Sequence, residues 1–91
     1  MKLTNVSLEN LGTVNKNKVI LTFEGGARVE LYFSYKTIVG VYGNGIEACI
    51  QNYWSTTTGK LLNEIEPDKN KRLSQDDFDK ELSKVFEEVK K

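Results

Sequence analysis

Histidine is absent from this 91-residue chain, and cysteine, proline, methionine and tryptophan occur once each. Without histidine there is no Ser-His or Cys-His nucleophile pair and no histidine-ligated zinc or iron. A single cysteine, Cys49, rules out an intrachain disulfide and an all-thiolate metal site, and it suits a reducing compartment. Long apolar runs are missing too. None approaches the ~20 residues that a membrane-spanning helix needs, and the opening MKLTNVSLEN lacks the continuous apolar segment of a secretory signal. Net charge is also lacking, since 13 basic side chains balance 13 acidic ones. A neutral chain has little long-range attraction for phosphate polymers or anionic membranes. These absences lead us to expect a cytoplasmic protein with no membrane partner and no cofactor.

What is present points to one α+β domain over residues 1–91. Apolar residues make up 38% and charged ones 29%, a balance that suits a small globule with one modest core. Lys2–Leu8 reads as a strand with Val6 and Leu8 on one face, and 9–17 as a loop. Lys18–Phe23 follows, with Val19, Leu21 and Phe23 sharing a face. Glu24-Gly25-Gly26 supplies a tight turn. Ala27–Ser34 has the cleanest alternation: Ala27, Val29, Leu31 and Phe33 point one way, Arg28, Glu30, Tyr32 and Ser34 the other. Tyr35-Lys36 makes a corner before a fourth strand, Thr37–Tyr42. Asn44-Gly45 marks the next hairpin, and Ile46–Tyr53 is the fifth strand, with Cys49 facing away from Ile46, Ala48 and Ile50.

The last third is helical. Ser55 to Thr58 offer N-cap oxygens to a short helix carrying Leu61, Leu62 and Ile65, which Pro67 ends. Ser74 caps a longer amphipathic helix, with Asp76 and Asp77 in its first turn and an apolar stripe of Phe78, Leu82, Val85, Phe86 and Val89. The expected architecture is an antiparallel sheet of about five strands, open or half-rolled into a barrel, followed by the short helix and the longer one.

Three stretches carry candidate chemistry. Residues 66–77, EPDKNKRLSQDD, lie between two helices and align with a calcium loop. Lys71 stands where that loop needs glycine, however, and Asp77 where it needs a bidentate glutamate. The reading there is a capped interhelix loop, and no metal. Gly40, Gly43 and Gly45 sit between two strands, whereas a phosphate cradle runs from strand to helix, so they read as turn glycines. The third set is a candidate binding surface: the aromatics Tyr32, Tyr35, Tyr53 and Trp54 with the cations Arg28, Lys36 and Lys60, suited to stacking on bases or to contact with a protein. Remaining catalytic options are weak, because the acidic residues cluster on a solvated helix face and Cys49 has no base beside it.

Ser34-Tyr35-Lys36-Thr37-Ile38-Val39 resembles an S-Y-x-T-P-V corner, and Trp54-Ser55-Thr56-Thr57-Thr58-Gly59-Lys60-Leu61-Leu62-Asn63 is similar to an aromatic-S-x-T-T-x-K-H-[IL]-N helix start. Both belong to a pattern of small uncharacterised proteins of bacteriophages, archaeal viruses and plasmids. Ile38 replaces the proline of that pattern, and Leu61 its histidine. The resemblance implies a compact, mostly-β fold and an origin on a mobile element, and it assigns no mechanism.

The resulting expectation is a non-enzymatic accessory protein of a phage or mobile element. It acts in the host cytoplasm by binding a host protein, for example as an anti-defence inhibitor. The alternatives are a nucleic-acid or nucleotide-binding module using the sheet aromatics, and a divalent-metal helix-loop-helix. A free sheet edge leaves both monomer and homodimer open.

Overall fold

The structure, a computed structural model, describes residues 2–12, 15–52 and 56–90, with the side chains of 56, 57 and 88–90 left undescribed. Five strands form one open antiparallel sheet in the order of the chain: β1 (Leu3–Asn10), β2 (Lys16–Phe23), β3 (Arg28–Ser34), β4 (Thr37–Gly43) and β5 (Ile46–Cys49). Two helices follow, α1 (Thr56–Ile65) and the longer α2 (Gln75–Lys90). This is the expected α+β architecture in its open form. The differences lie at strand ends. β1 runs two residues further and β2 starts two residues earlier than the alternation implies, because Leu11 N–H still donates to Lys16 C=O across the loop. β5 stops at Cys49; Ile50 N–H still donates to Val39 C=O of β4 at 3.0 Å, and Ile50 also bridges Leu73 on its outer side.

The register assigns each side chain to a face. One face carries Val6, Val19, Leu21, Leu31, Val41 and Ala48, which lie opposite one another in neighbouring strands. Leu21, Phe23, Val29, Leu31, Val41 and Ala48 are buried in one cluster with Phe78 and Val85 of α2. α2 packs along β5, and its Glu81 and Lys84 reach the turn beside Ile46. The opposite face carries Lys18, Tyr32, Gly40 and Cys49 in one row and Glu30, Tyr42 and Glu47 in the next. α1 covers part of it. Ser34 and Thr58 hydroxyls meet at 2.9 Å, and Ile65 lies over Gly40. The helices therefore take opposite faces of the sheet. Cys49 is buried as a consequence, beneath α1.

Two glycines hold this arrangement. A Cβ on Gly40 would lie 3.3 Å from Ile65 Cγ2, so a bare backbone is what lets α1 come down. At Gly43, φ is +123° and a Cβ would come 2.2 Å from the Arg28 carbonyl oxygen. No L side chain fits there without moving β3 or β4. Asn44 and Gly45 both have positive φ, as the Asn-Gly hairpin signal requires.

The charged segment after Pro67 is more ordered than its composition implies. Asp68 accepts from Asn70 N–H and caps a short 3-10 turn over Lys69–Lys71. Arg72 is buried: its Nε donates to Glu66 C=O at 3.0 Å and its Nη2 to Asn63 Oδ1 at 2.7 Å. The guanidinium thus closes the C-terminal end of α1, where the helix dipole favours a cation. Ser74 Oγ accepts from Asp77 N–H and caps α2 as the pattern predicts.

Two stability changes follow. Gly43→Ala should lower stability by more than about 2 kcal/mol, from the positive φ and the backbone clash combined. Arg72→Ala should lower it by about 1.5–3 kcal/mol by removing two charge-assisted hydrogen bonds. Arg72→Lys should rescue little, because an ammonium cannot make both bonds in the same fork. Urea midpoints of the three variants against wild type measure this.

Candidate functional site

An apolar opening lies where β1, β2 and the β3–β4 turn meet. Leu8, Asn17, Val19, Phe33, Tyr35 and Lys36 line a shallow groove of about 340 Å³. Its floor is the edge of the core face that α2 leaves uncovered. Leu8 stands opposite Val19 in the register, yet it is 71% exposed, and its neighbour on the same face, Val6, is 56% exposed. Core-type residues at core-facing positions are here left in water.

Tyr35 rims this groove in a conformation that L residues other than asparagine and aspartate seldom adopt. Its φ is +56°, a cost of roughly 1–2 kcal/mol relative to the right-handed region. The turn is held by Tyr35 N–H donating to Asn15 C=O at 2.7 Å, and the ring stays 55% exposed. A glycine would meet the backbone requirement with less strain, so the tyrosine contributes an outward aromatic ring that the fold itself does not require.

The other sequence-predicted residues are spread over the molecule. Lys36 lies in the same groove as Tyr35. Arg28 and Tyr32 belong to the opposite face, where a carboxylate draws them together: Arg28 pairs with Glu30 at 3.6 Å, and Tyr32 O–H donates to Glu30 at 3.1 Å. Tyr32 also meets Tyr42 edge-on, with ring centroids 6.0 Å apart, and has Lys18 Nζ 5.8 Å from its ring centre. Lys18 in turn lies 3.8 Å from both Glu9 and Glu30. Lys60 is an exposed cation on α1. Tyr53 and Trp54 lie outside the described residues. The sequence reading missed Leu8, Val19 and Phe33 as surface residues. Their alternation was visible, but where α2 would end its cover was not.

A second depression, of about 410 Å³, is polar and lined by Gln51, Asn52, Gly59, Asn63, Lys69 and Arg72. Arg72 is already engaged there in closing α1. Among the described residues no three cysteine, aspartate or glutamate side chains converge as metal ligands, the 66–77 loop included.

Cys49 and Tyr42 lie side by side under α1 with their protons held tightly. Burial pushes the Cys49 thiol from its ordinary 9.0 up to about 11. Arg72 opposes that rise and Glu66 adds to it. Tyr42 is raised as well, first by burial and then by Cys49, Glu66, Glu47 and Tyr32. A thiol in this state stays protonated at neutral pH, the weakly nucleophilic form. The folded form binds these protons to higher pH than the unfolded chain does. The Cys49 contribution is therefore complete below pH 9.0 and is lost as pH rises through about 11, and that of Tyr42 is lost only at higher pH. The melting temperature should fall across that window, and Cys49→Ala should flatten part of the fall. A thiol reagent at neutral pH should label Cys49 only after unfolding.

No helix among the described residues is long and apolar enough to cross a membrane. No curated protein and no solved structure matches the chain. A model of the family of unknown function DUF8033 matches residues 1–80, which takes in the whole sheet, α1 and the start of α2. The chain belongs to that family.

Proposed function

We propose that this domain is a non-enzymatic binding protein that occupies a surface of a protein partner through the groove of Leu8, Val19, Phe33, Tyr35 and Lys36. The observation that carries the reading is the strained, outward Tyr35 beside an exposed core-face leucine. An aromatic anchor over an apolar floor, with a cation at its rim, is the composition of a protein-binding hot spot. The resemblance of the Ser34–Val39 and Trp54–Asn63 stretches to proteins of phages, archaeal viruses and plasmids supports a mobile-element accessory factor. Its partner would then be a host protein, such as a defence nuclease or polymerase acting in the host cytoplasm.

The nucleic-acid alternative has less support. The cations beside Tyr32 are engaged by Glu9 and Glu30, which weakens the attraction of that face for phosphate. Lys36 lies in the groove with Leu8 and Val19, and Tyr35 stands at the β3–β4 turn, where it borders both that groove and the opening beside Ser34 and Thr58.

Co-purification separates the two readings. Tagged wild-type protein, Leu8→Glu, Tyr35→Glu and, as a control on a different face, Arg28→Glu are expressed in a bacterial host and their captured proteins quantified. A specific partner should be recovered with wild type and Arg28→Glu. It should fall about 30-fold with either groove substitution, the effect of losing roughly 2 kcal/mol at a hot spot. Equal recovery by all four proteins, or salt-sensitive oligonucleotide binding that only Arg28→Glu abolishes, would contradict the proposal.

A further inference from the structure

The two edges of the sheet are treated differently by the chain. β5 is short, and its outer side is taken by the protein itself: Leu73 N–H donates to Cys49 C=O and Gln51 N–H donates to Leu73 C=O, both at 2.8 Å. β1 is eight residues long and stands at the end of the strand order, with no other described strand paired to its outer side. Edge strands of monomeric proteins are usually blunted by lysine, proline or a central bulge. β1 has no lysine or proline between Leu3 and Asn10, and its one irregularity is at the Leu3–Asn5 end.

The direction of the free backbone groups is set by the ladder with β2. Leu11 N–H donates to Lys16 C=O, and antiparallel pairs alternate between bonded and non-bonded. Glu9, Ser7 and Asn5 therefore point their N–H and C=O groups at β2, while Val6 and Leu8 point theirs outward. The same two residues carry the exposed apolar side chains. Outward backbone and uncovered side chain thus coincide at Val6 and Leu8.

We infer that β1 pairs antiparallel with β1 of a second copy of this chain, about a two-fold axis at Ser7, to give a continuous ten-stranded sheet. In this register Val6 of each copy lies opposite Leu8 of the other as a bonded pair, which satisfies the outward groups of both and sets apolar side chain against apolar side chain on the core face. Ser7 meets its own symmetry mate as a non-bonded pair. On that same side Glu9, the only charged residue in β1, meets the Asn5 amide, and the two Glu9 carboxylates stay at opposite ends of the interface. The strand is self-complementary in shape, polarity and charge, as an isologous interface requires. Because the axis is perpendicular to the sheet, both Tyr35 grooves open on the same side of the dimer.

The symmetry makes the test specific. A non-bonded antiparallel pair has Cα atoms about 4.5 Å apart, within disulfide range. Ser7→Cys should therefore form an interchain disulfide under mild oxidation of the native protein, while Cys49 stays buried and unreactive. Asn5→Cys and Glu9→Cys should each fail to cross-link alone and should cross-link when mixed. Light scattering should give wild type twice the mass of one chain. Val6→Pro removes an outward N–H while sparing the ladder to β2, and should halve that mass with the circular dichroism spectrum retained. A wild type that stays monomeric at all concentrations up to millimolar would overturn the inference. So would a dimer that survives Val6→Pro, or one that cross-links through Asn5→Cys alone and not through Ser7→Cys. These variants leave Leu8 and Tyr35 unchanged, so a failure here leaves the protein-partner reading standing, and Tyr35→Glu, which lies outside β1, tests that reading without touching the β1 pairing.

Discussion

The backbone bonds on either side of Leu73 are the fastening on which the rest of the molecule depends. They tie the end of β5 to the segment that leads into α2, and so commit the helical third of the chain to one side of the sheet. Ile50 and Leu73 bridge in parallel there, which sends α2 back along β5 with Phe78 and Val85 turned into the core. α1 is thrown to the opposite face, where the absence of a side chain at Gly40 lets Ile65 sit against the sheet. The sheet is covered in this way from β5 as far as Leu21 and Phe23 of β2, which are buried. β1 stays open, exposed from Thr4 to Asn10.

That asymmetry decides which surface is left open to a partner in the proposed reading. A chain of this length has too few residues to roof five strands completely, and the part left bare is not a random sample of surface. It holds Val6 and Leu8 at core-facing positions, the edge of Phe33, and a tyrosine in a left-handed turn. In contrast, the ionisable groups that burial has perturbed, Cys49, Tyr42 and Tyr32, sit under or beside α1 with raised pKa values. These shifts keep protons on; none readies a base or a nucleophile near pH 7.

Much of the fold was legible because local signals agreed with one another. Period-two alternation in β3, the Gly25-Gly26 and Asn44-Gly45 turns, the Ser74 cap and the Phe78–Val85 stripe each specify one outcome, and together they give the meander and the last helix. Long-range choices were not legible. Nothing near Ile50 announces that it will pair with Leu73, so β5 read as longer than it is. Arg72 read as part of a capped interhelix loop, because a buried guanidinium is visible only once Glu66 C=O and Asn63 are known to converge on it. Val6 and Leu8 were assigned the correct face, but alternation says which way a side chain points and not whether anything lies above it. Of the proposed surface, Tyr35 and Lys36 came from the sequence, and Leu8, Val19 and Phe33 needed the packing.

Amide hydrogen exchange in dilute protein tests the fastening most directly. If Leu73 closes the β5 edge, the Leu73 and Gln51 amides should be protected to nearly the same extent as Leu31 and Val41 in the sheet interior, exchanging only on global unfolding. The outward amide of Leu8 should exchange many-fold faster. Rapid exchange at Leu73 and Gln51 beside slow exchange at Leu31 and Val41 would show the helical third to be loosely attached, and the account of why one edge is closed and the other open would be wrong.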